Sequence, residues 1–195
     1  MQRIALTGGV AEGKTTVLRM FEALGAATVS SDALAATLLT PRTELWHELI
    51  AEFGQAILNA EGQLRREQLA ALAFSEPQLR RRLNRLMHPP IVRALQAHLT
   101  QLHAPCVVVE VPLLIEVALQ GEFDAVVVVH ATPALQRQRL LARGLPPRLV
   151  RQLLRAQLPT RCKLAFADWV VRTHRPLPQV EQQVRAIWQE LNSPR

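Results

Sequence analysis

The chain opens on a stretch that leaves few folds open to it: Arg3-Ile4-Ala5-Leu6-Thr7-Gly8-Gly9-Val10-Ala11-Glu12-Gly13-Lys14-Thr15-Thr16. Ile4 to Thr7 form a short β-rich run that feeds a glycine turn. Gly8, Gly13, Lys14 and Thr15 fit the pattern G-x-x-x-x-G-K-[ST]. Behind the turn, Val17, Leu18, Met20, Phe21 and Leu24 recur at helical spacing, and Gly25 supplies a stop. Strand, glycine loop and helix thus follow in the order a phosphate-binding loop needs. Glycines let successive backbone N–H groups converge on one anion, and the helix behind adds its positive end. Lys14 is placed to reach the β- and γ-phosphates of a nucleotide, and the Thr15 hydroxyl to hold Mg²⁺. The bland alternative is a chance glycine turn before a helix. It sits poorly with lysine usage, because the chain has only two lysines, Lys14 and Lys163, among many arginines.

At 195 residues the chain can bury one substantial core. No apolar run reaches membrane-spanning length, and the apolar start ends at Leu6, unlike a signal peptide. A soluble cytoplasmic protein without a membrane partner is expected. Cys106 begins an apolar run and reads as a core thiol, and neither it nor Cys162 has metal or redox spacing. The net charge of +7 favours phosphorylated or otherwise polyanionic partners. Nucleic acid is the weaker option, since aromatics are only 4% and tyrosine is absent, which leaves few stacking platforms.

Ala27 to Ser30 read as a second strand, and Ser31-Asp32 open a helix running on to Leu39. Asp32 is then either a helix cap or first-turn acid, or a functional acid at the carboxyl end of a parallel strand. From Thr40 to His103 no strand-like run appears. Leu45 to Phe53 form an amphipathic stretch, and Leu64, Leu69, Leu72 and Phe74 a second with Arg65 and Arg66 at its start. Glu76-Pro77 open a third helix, His88-Pro89-Pro90 punctuate it, and Ile91 to Leu102 form a fourth. Since a βαβ crossover needs one helix, about four imply an inserted helical subdomain. Its arginines, Arg80, Arg81, Arg82 and Arg85, are either a solvated face or a basic wall for a phosphorylated substrate.

Cys106 to Val111 and Asp124 to Val129 are near-continuous apolar β runs, as in strands buried on both faces. Glu110, near the end of the first, stands where an acid helps hold Mg²⁺ beside a phosphate loop. Thr132-Pro133 open a helix with Arg139 and Arg143 four residues apart on one face. After Gly144-Leu145-Pro146-Pro147 comes a helix bearing Arg148, Arg151 and Arg155. These arginines are either a lid that closes on phosphates or a solvated surface. Ala167 to Val171 read as the last strand and Gln179 to Leu191 as a terminal helix. H-E-x-x-H, G-x-S-x-G and a guanine-reading N-K-x-D run are all absent.

Taken in order, Leu6 to Val10, Gly13 to Val17, Ser31-Asp32-Ala33, His88 to Ile91, Pro112 to Glu116, Gln136 to Arg143, Gln157, Pro159, Lys163 and Ala167-Asp168 resemble the dephospho-coenzyme A kinase family. The resemblance covers nearly the whole chain. It implies an α/β P-loop kinase with a five-stranded parallel sheet: core 1–39 and 104–195, helical coenzyme-binding insert 40–103, arginine-bearing lid 139–165. It also implies phosphoryl transfer from ATP, with Mg²⁺, to the ribose 3′-hydroxyl of dephospho-CoA, by a monomer or weak homo-oligomer. Under it Asp32 resembles the catalytic acid, while Arg139 and Arg143 match arginines that meet ATP phosphates. Gly9, Ala11, Glu12, Gly13, Lys14, Thr15 and Thr16 surround the nucleotide, and Thr15 and Glu110 the metal. Arg65, Arg85, His88 and Glu116 join Asp32 as substrate-binding candidates.

The chain also departs from the family pattern. Ala11-Glu12 stand where Gly-Ser is usual, so Glu12 must turn away from the phosphates. Ser30 replaces a common Asp, Ala36 an Arg, and Thr173 and Arg175 an Asn and a Gly of the adenine loop. Two rivals remain at this level: another small-molecule or nucleoside kinase on the same core, and a non-catalytic ATP-sensing module that binds nucleic acid through its arginines.

Overall fold

Two valine-rich runs set the centre of the fold. The computed structural model describes residues 1–65, 68–69 and 76–193, and in it β3 (Cys106–Glu110) is buried along its whole length. β4 (Ala125–His130) is buried up to its last residue. Such strands need cover on both faces, which a parallel sheet with crossover helices supplies. β1 (Gln2–Gly8) runs between them, with Leu6 opposite Glu110 on one side and Val127 on the other. β2 (Ala27–Ser30) and β5 (Trp169–Arg172) complete an all-parallel sheet in the order β2-β3-β1-β4-β5. The chain crosses to opposite sides of β1, and the carboxyl end of such a strand is where open α/β sheets bind ligands. The glycine loop leaves β1 at that end.

Asp124 and Asp168 pin strand starts. The Arg3 N–H donates to Asp124 Oδ2 at 2.6 Å and the Val126 N–H to Asp168 Oδ2 at 2.7 Å. α1 (Lys14–Ala23) and α8 (Leu177–Asn192) cover one face of the sheet, with Val17, Phe21, Val184 and Ile187 in the core against Leu6, Val127 and Val171. The rings of Phe21 and Trp188 meet edge to face, centroids 6.4 Å apart. α1 stops where Gly25 takes φ +94°: its N–H donates to Glu22 O and the Ala26 N–H to Phe21 O, satisfying carbonyls of the last turn.

The chain divides into two compact units, Met1–Ser30 with His103–Arg195, and Ser31–Leu102. The second contains α2 (Ser31–Leu38), α3 (Glu44–Phe53) and α4 (Pro77–Gln101) around a core of Leu45, Leu49, Ile57 and Leu69. The only strand-like feature among its described residues is an isolated bridge between Leu58 and Leu64. Arg66, Leu72 and Phe74, read above as part of an amphipathic stretch, lie outside the described residues.

One expectation is corrected here. His88-Pro89-Pro90 do not separate two helices; Pro77 to Gln101 form one helix of 25 residues with both prolines inside it. Each proline removes a backbone donor, and an interior proline costs about 3 kcal/mol or more. Packing on both sides of the pair offsets this: Leu83, Leu86 and Met87 lie against the unit's core, and Leu95 and Leu99 are buried beyond.

In the first unit, α5 (Pro133–Ala142) is capped by the Thr132 hydroxyl, which accepts from the Leu135 N–H at 3.3 Å. α6 (Pro147–Ala156) turns Val150, Leu153 and Leu154 inward and leaves Arg148, Arg151 and Arg155 exposed. A short helix α7 (Thr160–Lys163) leads back to β5. No helix among the described residues is long and apolar enough to cross a membrane.

Candidate active site

The glycine loop owes its shape to contacts that come from far along the chain. Gly8 has no room for a side chain: a Cβ there would lie 2.5 Å from Val129 O. Ala11 adopts φ +58°, which an L-residue enters at a cost of about 1–2 kcal/mol. Its methyl is buried with Leu140 and Val150, a contact glycine could not make.

Four side chains brace the loop. Gln136 Nε2 donates to Val10 O at 2.9 Å, and the Val10 N–H donates to Gln157 Oε1 at 2.8 Å. Arg139 Nη1 donates to Ala11 O at 3.0 Å, and the Thr173 hydroxyl to Glu12 O at 2.5 Å. Arg139 also donates to Thr173, to Oγ1 at 3.2 Å and to the carbonyl at 2.9 Å, so it joins the loop to the turn after β5. Burial and the nearby charge of Arg143 lower the Arg139 pKa, and Glu12 opposes them. Arg143 caps α5 and is exposed.

Glu12, expected to turn away from bound phosphates, is turned inward and 0% exposed. Its Oε2 accepts from the Gly9 N–H at 2.5 Å and the Thr160 hydroxyl at 2.9 Å, and its Oε1 from the Ala131 N–H at 3.3 Å. Beside it, Gly9, Val10, Gln136, Gln157 and Thr160 line a cavity of about 370 Å³.

α1 begins at Lys14 with Gly13 at its cap and no capping side chain. The N–H groups of a first helical turn have no carbonyl within the helix, so the loop ends in a set of amides suited to an anion. Lys14 Nζ folds back to donate to Gly9 O at 2.9 Å. Thr15 and Thr16 are exposed in that turn. The Thr15 hydroxyl donates to Glu110 Oε1 at 3.4 Å, bringing together the two residues expected at a metal. Glu110, 4% exposed, stands at the end of β3 beside β1.

Glu116, expected among the substrate contacts, is held in an ion pair. Lys163 Nζ lies 2.8 Å from Glu116 Oε1 and 3.0 Å from its Oε2, and also donates to Pro112 O at 3.0 Å. The Leu158 N–H donates to the same carboxylate at 3.1 Å. Lys163 is 0% exposed, so one of the two lysines is structural.

The other substrate candidates belong to the second unit. Asp32 is exposed in the first turn of α2, directly after β2. Arg65 is exposed, its N–H donating to Ile57 O at 2.8 Å. Arg85 is exposed on α4, and His88, one turn on, is half-buried with its pKa lowered by that burial. Arg82 pairs with Glu52 at 3.1 Å on the same unit's surface.

Thr160 carried no signal in the sequence. Thr173 stood out there only as a departure in the adenine loop. Both meet the phosphate loop from about 150 residues away.

The dephospho-CoA kinase family model matches residues 2–179. A dephospho-CoA kinase of Syntrophotalea carbinolica is 38% identical over 192 residues, covering 96% of this chain and 91% of its own length. The crystal structure of TT1252 from Thermus thermophilus is 32% identical with a TM-score of 0.83, covering 98% of both chains. Dephospho-CoA kinase from Campylobacter jejuni, 22% identical with a TM-score of 0.67 and 98% of both chains covered, shares the fold. A strand-loop-helix start that builds an anion cradle, with a hydroxyl and a carboxylate side by side at its end, is what a P-loop kinase requires, and with these matches the chain belongs to the dephospho-CoA kinase family.

Proposed function

We propose that this chain transfers the γ-phosphoryl group of ATP to the ribose 3′-hydroxyl of dephospho-CoA, giving coenzyme A and ADP. The observation that carries the assignment to these residues is the Thr15 hydroxyl against the Glu110 carboxylate, at the end of a loop that also presents Lys14. Gly9, Val10 and Glu12 donate their N–H groups to protein acceptors, so phosphate oxygens are received by the amides from Gly13 to Thr16. Lys14 exchanges its bond to Gly9 O for the β- and γ-phosphates.

A hydroxyl and a carboxylate are hard oxygen donors, which fit Mg²⁺; Thr15 would hold the ion and Glu110 would support it. When bound, Mg²⁺ neutralises charge on the transferring phosphoryl group. Asp32 orients the acceptor hydroxyl and takes its proton. Arg85, Arg65 and His88 receive the coenzyme's phosphates and polar arm, and Arg143 with the arginines of α6 meets the triphosphate. Positioning and electrostatics carry most of such chemistry.

The test is ADP release with Mg·ATP and a panel of acceptors, the product being checked by mass for a 3′-phosphate. Dephospho-CoA should be preferred over AMP, CMP, UMP and simple sugars, and truncated acceptors should lose kcat as well as affinity. More efficient phosphorylation of a nucleoside monophosphate would overturn the substrate and leave the kinase.

A further inference from the structure

Glu12 is a carboxylate sealed inside a loop that exists to bind anions, and it must have a reason to be there. Its side chain is 0% exposed and accepts three hydrogen bonds, from Gly9, Ala131 and Thr160. The space it fills is made by two glycines. A Cβ on Gly8 would lie 3.0 Å from Glu12 Oε2, and one on Gly9 3.2 Å from its Cδ. A carboxylate taken out of water is tolerated only when well paired. Here three donors surround it, and among the charges acting on Arg139 it is the one that favours the protonated guanidinium.

The Thr160 bond is the informative one. Thr160 opens α7, where the chain returns to the core from α6 and its three exposed arginines. Two further contacts join the loop to the same stretch, Val10 N–H to Gln157 and Ala11 against Val150, and Thr160 Oγ1 sits so near Gly9 that a Cβ there would lie 3.0 Å from it. A serine at position 12 would be two bonds shorter and could not span from the loop to Thr160.

We propose that Glu12 is a positioning residue that latches the phosphate loop to the root of the arginine-bearing segment through Thr160, so that filling the loop sets where those arginines stand. The proposal rests on the kinase reading above for its catalytic consequence, and on the geometry alone for the latch. The carboxylate touches no reacting atom; it acts through Thr160 and the loop backbone. Loss of the latch leaves ATP bound but its arginines misplaced, which lowers kcat more than it alters KM.

The test uses Glu12→Ser, which is too short to reach Thr160, Thr160→Val, their double variant, and Thr160→Ser, which keeps the hydroxyl. Steady-state ADP release should show kcat lowered about tenfold in each disrupting single variant, the scale of one charge-assisted hydrogen bond. KM for ATP should stay within about twofold, since binding in the ground state is retained. The double variant should be no slower than the worse single, because both remove one interaction. Thr160→Ser should restore the wild-type rate.

In parallel, trypsin cleavage after Arg148, Arg151 and Arg155 is timed with and without a non-hydrolysable ATP analogue. The analogue should protect the wild type and Thr160→Ser, but not the disrupting variants. Additive effects in the double variant, or wild-type protection in Thr160→Val, would overturn the latch. If Thr160→Val does not fold, Glu12→Ser against Thr160→Ser decides the same point. If the wild type does not use dephospho-CoA, the kinase reading fails while the proteolysis cycle still judges the latch.

Discussion

Lys163→Met is the substitution whose cost can be worked most directly from the structure. Methionine keeps most of the length and removes the charge. Lys163 is 0% exposed and bonds to both Glu116 oxygens, at 2.8 and 3.0 Å, and to Pro112 O at 3.0 Å. Removing one member of a buried ion pair costs about 3–5 kcal/mol because the other charge is left uncompensated. Glu116 keeps 19% of its side chain exposed, so water recovers part of that, while Pro112 O loses a donor worth about 1 kcal/mol. The expected loss is about 2–4 kcal/mol, which for a chain of this size lowers Tm by about 5–15 °C. The assay is thermal and urea unfolding followed by circular dichroism. Adding Glu116→Gln should then recover stability, because the stranded charge is gone while the Leu158 N–H keeps an acceptor. A loss under about 1 kcal/mol, or a double variant less stable than Lys163→Met, would refute the argument that the charge left on Glu116 when buried Lys163 is removed governs the cost.

Asp32→Asn should lower kcat by about a hundredfold to ten-thousandfold with little change in KM, as expected for a lost proton acceptor. A rate within about twofold of wild type in the ADP-release assay would leave Asp32 as a first-turn helix acid only. Arg139→Ala should slow transfer and also destabilise the core unit by about 1–3 kcal/mol, because its guanidinium holds Ala11 O and Thr173; parallel kinetics and urea melts separate the two effects. His88 binds its proton less readily folded than unfolded, so its contribution is complete above its unfolded value of 6.5 and is lost as pH falls through the range below it. Wild type and His88→Asn, melted at about pH 5 and about pH 7.5, should therefore differ in pH response, with the wild type losing more stability on acidification.

Local periodicity was enough to place β1, α1 and the glycine loop, because a phosphate loop is one contiguous segment whose glycines, lysine and threonine act on their own backbone. The valine runs of β3 and β4 announced a sheet buried on both faces for a similar reason, since side chains alternate across a strand whatever its neighbours are. Thr15 and Glu110 were legible as a pair only because each ends a readable strand–loop unit, although 95 residues separate them.

Tertiary structure decided what local pattern could not encode. Pro89-Pro90 are helix breakers by local rule, yet the helix from Pro77 to Gln101 continues because packing on both sides outweighs two missing donors. That Glu116 pairs with Lys163 was not legible either, since which charge meets which depends on where two distant segments return to the core. The bracing of the loop by Gln136, Arg139, Gln157, Thr160 and Thr173 is of the same kind. Each of these bonds joins residues more than 120 positions apart, and only the order of the strands brings them within reach.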